Sequence, residues 1–173
     1  MNVPPDKQQA SRLLEMCRSG LVTWRELQPW TTLQIEQLDK PPAWLCELVT
    51  KTYHGHIEQC IAEYAHSAPF EDFDRDALAD LHIACLLLRH QRRELSWATF
   101  LQRAGEHADC CNEGREGCET FFELLNELEI AEFDAALEAQ QRAGIETLYA
   151  DALEIARRDH EPLRQAFRAA RDA

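Results

Sequence analysis

Several absences bound this sequence before any motif is read. Valine occurs three times, runs of β-branched residues are missing, and no segment keeps a two-residue alternation for long. Strands therefore have little to form from. No apolar stretch is suited to spanning a bilayer, because the most apolar one, Ala77 to Arg93, is short and interrupted by Asp80 and His82. The opening residues, Met-Asn-Val-Pro-Pro-Asp-Lys-Gln-Gln, hold no apolar segment of a secretory signal. Positive charge is scarce as well: 18 Lys and Arg stand against 31 Asp and Glu, a net charge of −13. Nucleic acid and anionic membrane would be repelled by that balance, so neither is expected as a partner, whereas a basic protein would be attracted. Gly-x-Ser-x-Gly, a phosphate-cradling Gly loop and paired Cys-x2-Cys knuckles are all lacking, so no enzymatic activity and no cofactor are expected. The seven cysteines are odd in number and several fall at apolar helical positions, which suits free thiols in a reducing compartment. The cytoplasm is the expected location.

What is present is helical periodicity in an ordinary globular composition, 45% hydrophobic and 28% charged. The expectation is an all-α fold, one domain over residues 1–173, with about seven to eight helices packed around a buried central helix, 77–93. In that stretch Leu78, Leu81, Ala84, Cys85 and Leu88 form one face while Ile83, Leu86 and Leu87 cover much of the rest. A helix apolar on most sides is a buried one. Acids precede and open it, and Arg89, Arg92 and Arg93 close it, the order that complements a helix dipole.

In chain order, a first helix starts near Pro5 or Asp6, turns Ala10, Leu13, Leu14 and Cys17 inward and stops at Ser19-Gly20. Thr23 and Glu26 form a capping box, and Pro29 either follows one short turn or starts a new helix, with Leu27, Trp30 and Leu33 facing the core. A helix from Pro42 leads through a possible interruption at Gly55 to a stripe running from Ile57 to Ala68. Ser96 caps a helix that buries Trp97, Phe100, Leu101 and Ala104. Gly105 to Gly117 reads as the least regular stretch. Cys118 to Ile130 is helical with Phe121, Phe122, Leu125 and Leu128 inward. Residues 131–141 and 145–158 form two helices or one bent at Gly144, and Pro162 opens a last short helix. A shift of 73 residues superposes Leu13-Leu14 on Leu86-Leu87, Val22-Thr23-Trp24 on Leu95-Ser96-Trp97 and Leu27 on Phe100. Both copies read as helix, turn, hydroxyl cap, Trp, helix, a weak internal duplication of a helix-turn-helix device.

Few side chains suggest chemistry. His107, Cys110, Cys111 and Cys118 offer imidazole and thiolates in one acidic stretch, the donor set of a zinc site or of a cysteine-dependent enzyme or regulator. Without paired knuckles no metal is assigned to them, and they remain the alternative to a binding function. Glu63-x-x-His66 has the spacing of one half of a di-iron helical site, but no second copy exists. His82 reads as a core histidine, and His54 and His56 as a solvent-facing turn.

Charge is the strongest signal outside the core. From Gly105 to Glu138 there are eleven acids and one base, Arg115. Glu113, Glu116, Glu119, Glu123 and Glu127 recur at three- or four-residue spacing, so the last four lie along one helical face. That face is either a solvated surface or a docking surface for a basic partner, whose encounter such a field would accelerate.

The stretch Gly20-Leu21-Val22-Thr23-Trp24-Arg25-Glu26-Leu27-Gln28-Pro29-Trp30, followed by Ile35 and by Asp39-Lys40-Pro41-Pro42-Ala43-Trp44-Leu45, resembles the opening of small bacterial all-α proteins of the toxin-immunity type. The resemblance covers the first third of the chain. It implies a cytoplasmic, non-enzymatic protein that binds and neutralises a cognate toxin.

Overall fold

A computed structural model describes residues 3–111 and 113–172. Among them there are nine α-helices and no strand: α1 Lys7–Arg18, α2 Trp24–Gln37, α3 Ala43–Leu48, α4 His54–Ala65, α5 Arg75–Gln91, α6 Trp97–Cys111, α7 Cys118–Ile130, α8 Ala135–Leu148 and α9 Ala150–Asp172. The all-α expectation holds. No helix is long and apolar enough to cross a membrane among the described residues. The chain divides into two compact units, one of residues 1–73 and 157–173 and the other of residues 74–156.

In the first unit α1 packs on α4, and α3 on both α2 and α4. Asp6 caps α1 in a reciprocal box with Gln9: the Gln9 N–H donates to Asp6 Oδ1 at 2.7 Å, and the Asp6 N–H to Gln9 Oε1 at 3.0 Å. Ala10, Leu13, Leu14 and Cys17 are buried as their spacing requires. The Thr23 amide donates to Glu26 Oε2, the back-reaching half of the expected capping box. Pro29 neither ends nor starts α2, which runs through it; Leu27 and Trp30 are buried but Leu33 faces outward. The helix from Pro42 breaks after Leu48, well before Gly55, which sits in the first turn of α4. Lys7 is buried and donates to the carbonyls of Ser67 and Pro69, fastening the loop after α4.

In the second unit α5 is buried without interruption from Ala79 to Leu88, as its apolar circumference demands, and it packs on α6. α6 packs on α7, and α7 on α8. Gln141, buried on α8, links three helices: its Oε1 accepts from Trp97 Nε1 at 3.0 Å, and its Nε2 donates to the Leu124 carbonyl at 2.9 Å. A buried amide with both ends satisfied fixes register where apolar packing alone would let helices slide.

Two further stretches differ from their sequence reading. Gly105 to Cys111 is helical, the last turns of α6, because the stripe Trp97, Phe100, Leu101, Ala104 continues to buried Ala108. Gly105 is buried, and a Cβ there would lie 2.7 Å from the Phe122 ring. Phe122 thus packs over the glycine and stays 39% exposed, instead of entering the core as Phe121 does. At the other end, α8 passes through Gly144 and breaks at Tyr149, while α9 passes through Pro162 as one helix. Its buried residues Leu153, Ala156, His160 and Leu163 keep helical spacing across the proline, so packing of one face overrides the lost backbone bond.

The elbow repeats at the 73-residue offset in backbone detail. Gly20 (φ 75) and Arg93 (φ 63) both turn left-handed. The Gly20 N–H donates to the Cys17 carbonyl and the Arg93 N–H to the His90 carbonyl; the Leu27 N–H donates to Thr23 and the Phe100 N–H to Ser96. The likeness stops at the elbow, since α1 packs on α4 whereas α5 packs on α6.

Candidate functional site

The acidic face is built by α7 and the loop that precedes it, all within the second unit. Gly117 caps α7, and burial of Phe121 and Leu128 fixes which side faces inward. Glu119, Glu123 and Glu127 are consequently exposed, and Glu113 and Glu116 half-buried. Glu113 pairs with Arg75 at 3.2 Å, Glu116 accepts from Thr120 at 2.8 Å, and Glu127 accepts weakly from Gln141 at 3.3 Å. Among the described residues Glu119 accepts only a long contact from the Cys118 thiol, 3.6 Å, and Glu123 has no hydrogen bond or ion pair. The structure thus brings the five expected residues to one region, with Glu119 and Glu123 the least committed of them.

Arg115, the band's one base, does not neutralise that face. Its Nε donates to Asp80 Oδ2 at 2.6 Å and its amide to Asp80 Oδ1 at 3.0 Å. One Nη donates to the Leu148 carbonyl, the other to Asp151 at 3.1 Å, and the guanidinium lies 5.2 Å from the Tyr149 ring centre. Asp80 is 6% exposed, and a buried carboxylate needs such partners. The clamp has electrostatic signatures. The bond from Arg115, then the Ala152 N–H, holds the Asp151 carboxyl below its usual range, and burial pushes the Tyr149 phenol up. Gly114 lets the loop approach: at φ 101 it donates to Asp76 Oδ1 at 2.8 Å, and a Cβ there would meet Asp80 Oδ1 at 3.2 Å. Sequence reasoning missed this clamp, although an aspartate inside a helix apolar on most sides was its signal.

Beside the acids lie exposed apolar side chains: Ile130 (76%) on the last turn of α7 and Phe133 (56%) just beyond it. Glu132 and Phe133 are both left-handed, φ 50 and 61, and the Phe133 N–H donates to the Leu128 carbonyl at 2.8 Å, closing the helix. On the helical wheel Ile130 lies seven residues beyond Glu123 and eleven beyond Glu119, hence on the same outward side.

The metal candidates are scattered by comparison. His107 and Cys111 lie one turn apart on α6, ring nitrogens 3.8 Å from sulfur, and His107 stacks on the buried His82 ring at 3.7 Å. Cys110 is exposed. Cys118 has one thiol proton to share between Asp109 and Glu119, both 3.6 Å away; burial and then those carboxylates push its thiol up, which disfavours the thiolate that metals and electrophiles require. These four do not draw together into one ligand set among the described residues. His54, exposed, pairs with Glu58 at 2.8 Å, while Glu63 accepts from Gln59 and His66 packs edge-on against Phe73.

Fold and site together define an all-α protein with a helix face of uncompensated acids edged by apolar side chains. Comparison with protein-family models, with curated proteins and with solved structures found no match.

Proposed function

We propose that this is a non-enzymatic binding protein whose α7 face docks a basic protein partner. The observation that supports it is the withdrawal of Arg115: the clamp on Asp80 and Asp151 leaves Glu119 and Glu123 unopposed in solvent. Carboxylates of one sign at i, i+4 cost helix stability, and a face kept so for no purpose would gain from a single lysine. Exposed Ile130 and Phe133 supply what charge alone does not, apolar area at the edge of the acids to slow dissociation once the partner has been steered in. The resemblance of the first third to toxin-immunity proteins makes a basic toxin, met in the cytoplasm, the partner class in this reading.

The test is charge reversal, Glu119→Lys with Glu123→Lys. Both residues are exposed, and Glu119 lies in the first turn of α7, so stability should fall by no more than about 1 kcal/mol, the dipole contribution of that one acid. After capture of the partner from the native host, the association rate should fall at least about tenfold at low salt, and the deficit should shrink as salt is raised, because screening reaches about 8 Å at 0.15 M. An unchanged association rate with the same partner would place the docking surface elsewhere.

A further inference from the structure

The first unit contains an open-sided cavity of about 350 Å³ that the acidic face does not involve. Its apolar wall is made by Leu13 and Met16 of α1, Trp30 of α2 and Leu163 of α9, each at most 9% exposed. Its polar lining is Gln9, Gln34, Arg12, Arg158 and Asp159, of which the last three carry charge. Asp159 is 18% exposed and sits between the two arginines, Oδ2 at 2.6 Å from Arg12 Nε and Oδ1 at 2.9 Å from Arg158 Nε. Both guanidinia are thus gripped by their inner nitrogen, and their terminal Nη groups have no hydrogen bond or ion pair among the described residues.

We infer that this cavity binds a small aromatic monocarboxylate, its carboxylate on the free ends of Arg12 and Arg158 and its ring against Trp30 and Pro162. Two guanidinia and one carboxylate leave a single positive charge at the rim, which one carboxylate balances and a phosphate dianion would overshoot beside Asp159. Guanidinium forks match carboxylate geometry in two parallel bonds. A flat ring suits an indole better than a flexible chain does. At the roughly 30 Å³ that a water occupies in the liquid, the cavity has room for about a dozen non-hydrogen atoms, the size of an arylpropionate. Apolar walls with few convergent polar groups are the usual make-up of a small-molecule site.

The experiment is calorimetric titration of the full chain with 3-phenylpropionate and, separately, with 3-phenylpropanamide, which keeps the shape and removes the charge. The acid should bind with Kd on the order of 0.1–1 mM, as expected for so few atoms, and the amide at least about tenfold more weakly. Arg158→Gln, at a largely exposed side chain that leaves the Arg12 to Asp159 pair in place, should weaken the acid about tenfold and leave the amide unaffected, with an unchanged helical spectrum confirming the fold. No saturable heat with the acid up to about 10 mM, equal binding of acid and amide to the unmodified chain, or an Arg158→Gln variant that binds the acid as the parent does would each overturn the assignment.

Discussion

Asp151 and Arg93 show how much one side chain can reveal here. The Asp151 carboxyl titrates below its ordinary value because Arg115 holds its charged form. Its folded pKa is the lower one, so the stability it contributes is fully present above about pH 4 and is lost as the pH falls through the folded value. Asp151→Asn should therefore lower stability at neutral pH and flatten the fall on acidification, which urea titrations across about pH 2–5 would register. Arg93 occupies a left-handed position that Gly20 fills in the first elbow, and its exposed side chain has no partner among the described residues. Relieving the left-handed strain outweighs the extra chain freedom of glycine, so Arg93→Gly should stabilise by about 0.5–1 kcal/mol while Gly20→Ala costs a similar amount. Neither residue's situation was legible in the sequence. The partners of Arg115 lie about 35 residues away on either side, and nothing local marks Arg93 as left-handed until its elbow is aligned with that of Gly20.

Among the elements, the helices most legible in advance were those with an unbroken apolar stripe, α1, α5 and α7, and the misread ones contained a residue of poor helix propensity. Gly105, Gly144 and Pro162 each sit inside a helix, where packing of the remaining face outweighs a local penalty of about 1 kcal/mol for glycine and about 3 for proline. The two glycines should behave oppositely when given a methyl group. A Cβ at Gly144 meets nothing within 4 Å, so Gly144→Ala should stabilise by about 0.5–1 kcal/mol. A Cβ at Gly105 meets the Phe122 ring at 2.7 Å, so Gly105→Ala must displace that ring and should destabilise by up to about 2 kcal/mol once the propensity gain of about 1 kcal/mol is set against it. Urea midpoints that move in the same direction for both would show that propensity, and not the seat of Phe122, sets the sequence at Gly105. The signal that α6 continues was available in Ala108, four residues after Ala104 on the buried stripe; the density of Gly, Asp and Cys obscured it.

For the molecule as a whole, fold class and the location of charge followed from composition and periodicity, which need no knowledge of distant partners. What did not follow was the commitment of each charge. The cavity rim lay equally hidden, since Arg12 and Asp159 come from opposite ends of the chain and no spacing relates them. The clamp around Arg115 has a further consequence for how this protein meets proteases. Between Arg103 and Arg142 the chain contains one arginine and no lysine, and that arginine's side chain is already occupied by Asp80, Leu148 and Asp151. A trypsin-like enzyme, which must draw an arginine or lysine into its own specificity pocket, has nothing to seize anywhere along the acidic face while the clamp is closed. A cut after Arg115 would mean that the clamp had opened first, so the clipping rate at that one bond reads out the opening of the loop directly.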